Sequence, residues 1–115
     1  FENLLAAVGA KFVYVLDINK REGRTWENDG SLEDIATGSA AGPVAAYLVA
    51  HGYASKGETI TLAQGRFVKR PSQLYAAVSD DGESEVSIMG RVCSVGNGVL
   101  RLPEDSLLYG STLPT

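Results

Sequence analysis

Glu33-Asp34-Ile35-Ala36-Thr37-Gly38-Ser39-Ala40-Ala41-Gly42-Pro43, running on through Val44 to His51, is the stretch that decides the fold. It reads as a turn opening into a helix. Gly38, Ser39, Ala40 and Ala41 are small, so a ligand can approach the backbone closely there. The first N–H groups of a helix have no internal partner, and the helix dipole adds partial positive charge at that end. A small-residue turn at a helix start is therefore suited to an anion. Pro43 fits the first helical turn and is unwelcome deeper in. Asp34 stands at the mouth of the turn, where a carboxylate serves either as an acid/base group or as a simple cap.

From Ala40 to Ala50 the helix carries no charge, and its apolar residues cover every face. A helix apolar all round is expected in a core, wrapped by other elements. It is too short to cross a bilayer, which takes about 20 apolar residues. His51-Gly52 closes it, with Gly in the left-handed position after the last turn.

Outward from this helix the pattern changes. Phe1 to Val8 has helical spacing and predicts a packing helix that stops at Gly9. Lys11 to Ile18 is rich in β-branched and aromatic residues and predicts a strand, with a short second one at Arg24-Thr25-Trp26. After Gly52 the period becomes two. Glu58–Gln64, Gln73–Ser79, Glu85–Met89, Arg91–Val95 and Val99–Leu102 read as strands. Asp80-Asp81-Gly82 and Gly96-Asn97-Gly98 read as hairpin turns. One apolar helix among six or so short strands predicts an α+β fold: a curved, mostly antiparallel sheet or barrel wrapped around that central helix. Residues 1–103 are expected to form one domain, and 104–115 a C-terminal tail.

Composition narrows the function. The chain has 115 residues, 44% hydrophobic and 21% charged, which suits one soluble domain. A net charge of −4 with no Lys/Arg cluster argues against nucleic acid or an anionic membrane as partner. Cys93 is the sole cysteine, so no internal disulfide forms; with no signal-like apolar segment, a cytoplasmic location is expected. A structural thiol within a strand is the expectation for Cys93, and a structural role for His51, the sole histidine. One His, one Cys and scattered carboxylates give no metal-ligand spacing, and no Gly-rich phosphate loop is present. No metal and no cofactor are expected.

Glu33-Asp34-x-Ala36-Thr37-Gly38-Ser39-Ala40-Ala41-Gly42-Pro43-x-Ala45-Ala46-Tyr47-Leu48 resembles the signature of the PhzF-like (phenazine biosynthesis) isomerases, which share the diaminopimelate-epimerase fold. Gln64-Gly65, Arg70-Pro71-Ser72, Arg91-Val92 and Leu100-Arg101-Leu102-Pro103 follow in that family's order. The sequence departs from the pattern at Ile35, where Pro is usual, and at Lys69, where Gly is usual. The resemblance covers essentially the whole chain and the C-terminal half of a typical member. It implies a cofactor-independent isomerase or epimerase that shifts a proton on a small anionic, carboxylate-bearing metabolite. It places the site in a cleft between two similar halves, with the main proton transfer on the N-terminal half. Asp34 is then the catalytic candidate, and Thr37, Gly38, Ser39 and Ala40 the ligand-binding ones. The missing wall is expected from a separate N-terminal half or from a homodimer; the alternative is a non-catalytic half-domain that dimerises or binds a small anion.

Overall fold

Period-two alternation and the apolar helix become a single open sheet with a helix laid on one side. A computed structural model describes residues 2–82 and 85–103. In chain order the elements are α1 (Glu2–Ala7), β1 (Tyr14–Asp17), β2 (Glu22–Thr25), α2 (Gly38–Ala50), β3 (Ile60–Gln64), a 3-10 turn (Arg66–Val68), β4 (Ser72–Val78) and β5 (Val86–Met89). Strand order follows chain order, β1-β2-β3-β4-β5. Three of the pairings are antiparallel; β2 and β3 run parallel. Parallel neighbours need a crossover, and α2 is that crossover.

The core is the meeting of two periodicities. Ile60 and Leu62 of β3 and Leu74, Ala76 and Val78 of β4 point to one face. Ala41, Val44, Ala45 and Leu48 of α2 pack onto it. Leu48, Ile60 and Leu62 are fully buried, and each stabilises the fold by roughly 1.5–3 kcal/mol. Gly42 faces β5, where a Cβ would meet Ile88 and Val86 at ordinary contact distance. His51 ends α2, its N–H bonding to the Tyr47 carbonyl, and Gly52 follows with a positive φ of 77°.

Several expectations are corrected. The sheet does not close and does not wrap the helix: α2 buries one stripe, while Pro43, Ala46, Tyr47 and Ala50 are exposed. The strands expected at 91–95 and 99–102 do not form, nor does the hairpin between them. Those segments were needed to extend the sheet round the far side of the helix, and a strand without a neighbour has no ladder to hold it. Their apolar side chains, Val92, Val95, Val99, Leu100 and Leu102, are 70–96% exposed. Cys93 shares this exposure, so it is a free surface thiol rather than a strand-buried one. Helix α1 forms where expected but buries none of its residues, so it is not a packing helix. The expected tail, 104–115, lies outside the described residues.

Candidate functional site

The β2-α2-β3 crossover brings three ends together. β2 leaves the sheet at Thr25, α2 begins at Gly38, and β3 ends at Gln64, level with Gly23 of β2. In sheets with parallel strands, ligands are met at the carboxyl ends of those strands. Asp34 and Thr37 lie there, on the rim of an open pocket of about 300 Å³ that Lys11, Phe12 and Trp26 also line.

The turn before α2 is held at its base. The Asp34 N–H bonds to the Thr25 carbonyl at 3.0 Å, and Glu33 bridges to Trp26. Arg24 grips the Glu33 carboxylate with two parallel bonds, Nε to Oε1 at 2.9 Å and Nη2 to Oε2 at 2.8 Å. The Arg24 guanidinium is stacked against Phe67 at 4.1 Å and Trp26 at 4.9 Å. This fork holds the Glu33 carboxyl below its ordinary range, the Arg24 hydrogen bonds being the main cause.

The turn is held at its tip by Gln64, which is almost wholly buried. Its amide oxygen accepts from the Thr37 N–H at 3.2 Å. Its amide nitrogen donates to the Asp34 carbonyl at 3.0 Å and to Thr37 Oγ1 at 2.8 Å. The Thr37 hydroxyl lies 2.6 Å from Asp34 Oδ2. Ser72 Oγ, on β4, sits 2.5 Å from the Ile35 carbonyl oxygen and 3.1 Å from that of Gln64. Gly65 lets these backbones approach: a Cβ there would lie 2.2 Å from the Arg70 carbonyl oxygen and 2.8 Å from that of Ile35. Lys69, the departure from the glycine pattern, keeps a glycine-like left-handed φ of 60°, so the turn retains its shape.

The sequence-derived site residues are thus split between the turn, which holds Asp34 and Thr37, and the first residues of α2, Gly38, Ser39 and Ala40. Asp34 and Thr37 bond to each other through their side chains. Asp34 does not bond to an α2 amide; its Oδ1 reaches the Ala36 N–H, at 3.5 Å. Gly38 and Ser39 are exposed, and among the described residues their N–H groups have no partner. The Ala40 N–H is engaged by the Thr37 carbonyl at 3.1 Å, and Ala40 is buried. Two residues were overlooked as parts of the site. Gln64 had a legible signal, since alternation from Ile60 through Leu62 puts residue 64 on the core side, where an amide needs partners. Arg24 had none, because its pairing with Glu33 depends on the course of the loop between them.

The chain matches the family model of phenazine biosynthesis-like proteins over residues 26–98. It is similar to the trans-2,3-dihydro-3-hydroxyanthranilate isomerase of Pseudomonas fluorescens, 35% identical over 88 residues that cover 70% of this chain and 32% of that protein. The Pseudomonas aeruginosa protein of the same name is 38% identical over 84 residues, 66% of this chain and 30% of that one. The solved structure of a predicted epimerase from Pseudomonas aeruginosa superposes with a TM-score of 0.66 at 50% identity, covering 84% of this chain and 36% of its own. The chain spans about a third of the length of these relatives, where the resemblance implied half.

Proposed function

Because the chain belongs to the phenazine biosynthesis-like protein family, we propose that it supplies one wall of an isomerase site that shifts a proton on a small carboxylate-bearing metabolite. One observation carries this reading. The Thr37 hydroxyl holds the Asp34 carboxylate on the rim of an open pocket, at the turn that opens α2, whose Gly38 and Ser39 N–H groups have no partner among the described residues. The two N–H groups dock a substrate carboxylate at the positive end of the α2 dipole. Asp34 then lies next to the carbon whose proton moves, where a carboxylate acts as acid or base. A docked carboxylate also takes up the negative charge that develops when the adjacent C–H bond breaks, which lowers the barrier.

The opposing wall, with the principal base, comes from a second unit. That unit is the remainder of a longer polypeptide or a second copy of this chain. Support comes from the openness of the pocket and from the third of the relatives' length that the chain spans. The relatives act on trans-2,3-dihydro-3-hydroxyanthranilate, and this is the first compound to test.

The experiment is proton exchange in D2O, followed by NMR of that compound, with the chain alone and with the remaining part of a relative added. The reading predicts deuterium at the carbon beside the carboxylate, lost on Asp34→Asn. Exchange that survives Asp34→Asn contradicts it.

A further inference from the structure

The hydrogen bonds around Asp34 have a direction, and two backbone groups set it. A glutamine amide has one end that accepts and one that donates. The Thr37 N–H can only donate, so Gln64 Oε1 faces it. The Asp34 carbonyl can only accept, so Gln64 Nε2 faces that. A flipped amide would set donor against donor and acceptor against acceptor. With the amide fixed, the second Nε2 proton goes to Thr37 Oγ1. That oxygen then accepts, and its single proton is left for Asp34 Oδ2.

Tyr14 feeds the same end of the relay. Its hydroxyl donates to Gln64 Oε1 at 3.4 Å, and its ring crosses β2 at Gly23, where a Cβ would sit 1.9 Å from the hydroxyl oxygen. Burial pushes the Tyr14 pKa up, which keeps it protonated and a donor.

We propose that Gln64 is a positioning residue: it turns the Thr37 hydroxyl toward Asp34, occupies Oδ2 as an acceptor, and leaves Oδ1 as the oxygen that meets a ligand. The inference rests on the proposed function for its use, but the relay itself is testable without substrate. The Ala36 N–H, at 3.5 Å, is a long and weak contact on Oδ1, so that oxygen keeps its accepting capacity. Thr37 accordingly acts through Asp34, with its hydroxyl already spent on both sides.

The test is a double-mutant cycle read by NMR on the full chain. Gln64→Met is uncharged and removes both ends of the amide; Thr37→Val removes only the hydroxyl. The Asp34 carboxyl 13C resonance is expected to shift with Gln64→Met in the unsubstituted background, and not in the Thr37→Val background. Thr37→Ser, which keeps the hydroxyl, is expected to leave it in place. The Ile60 and Leu62 amides report that the core is intact. A second readout needs no change at Gln64. Both Nε2 protons are expected to be protected from exchange, and Thr37→Val to release one of them. An Asp34 resonance that ignores Gln64→Met, or shifts equally with and without the Thr37 hydroxyl, overturns the proposal. So does a Thr37→Val protein in which both Nε2 protons stay protected. Failure here leaves deuterium exchange intact; failure of exchange alone leaves the relay intact, so the two readings are separable.

Discussion

Residues 60–78 and residues 91–102 carry the same kind of pattern and meet opposite fates. Both hold short apolar runs between turn signals, but only the first alternates cleanly: in the second, Val92 and Cys93, and Val99 and Leu100, are chain neighbours. The first stretch pairs as β3 and β4 and buries Ile60, Leu62, Leu74, Ala76 and Val78 under α2. The second pairs with nothing among the described residues and leaves Val92, Val95, Val99, Leu100 and Leu102 in solvent. Alternation states which face of a strand can be buried; it does not supply the surface that buries it. In the first stretch that surface is α2, packed on β4 and on the same side of β3.

Substitutions can break or sharpen this contrast. The largest effect is expected at Gly65. Its φ of 88° and the carbonyl oxygens at 2.2 and 2.8 Å leave no room for a side chain, so Gly65→Ala should cost about 4 kcal/mol or more in denaturant unfolding. Next comes Leu48→Ala, which opens a cavity between α2 and the sheet and should cost roughly 2–5 kcal/mol in the same measurement.

A smaller effect is acid sensitivity. Arg24 lowers the Glu33 pKa, so the folded pKa lies below the unfolded value of about 4.3. The stabilisation is then fully present above pH ~4.3 and is lost as pH falls through the folded pKa. Unfolding followed across that window should show Glu33→Gln with a flatter pH dependence than the unsubstituted chain. The smallest effect is expected in the exposed arm. Val95→Asp with Val99→Asp should change stability by less than about 0.5 kcal/mol, because neither side chain is buried. A loss as large as that of Leu48→Ala would mean that the arm has a docking place and that the contrast is false.

Much of the fold was legible for local reasons. Strands β1, β3, β4 and β5 came from composition and alternation, the α2 start from its small residues, and its end from Gly52; Pro43 misled, since it lies inside α2, past the first turn where it was expected. The candidate residues were legible as a motif; the structure places Asp34 and Thr37 in the turn before α2 and Gly38, Ser39 and Ala40 in the helix itself, with Ala40 buried. What stayed hidden was relational. The parallel β2–β3 pairing, which brings Gln64 to Thr37, depends on α2 acting as a crossover, and no single segment states that. The Arg24–Glu33 fork depends on a loop path. The wrapped helix followed from its apolar composition together with six or so expected strands, and the strands expected at 91–95 and 99–102 do not form. Exposed Pro43, Ala46 and Ala50 are small, and Tyr47 stacks on His51 at 4.3 Å between ring centres, so an all-apolar face tolerates water there.

The central claim is that the α2 start is the ligand-facing part of the chain and the arm is not. The most direct measurement is an amide NMR titration of the full chain with trans-2,3-dihydro-3-hydroxyanthranilate. The account predicts saturable shifts at Gly38 and Ser39, with the Asp34 carboxyl resonance following them and Val95 and Val99 unmoved. Shifts that cluster on the arm, or that leave Gly38 and Ser39 in place, would contradict it.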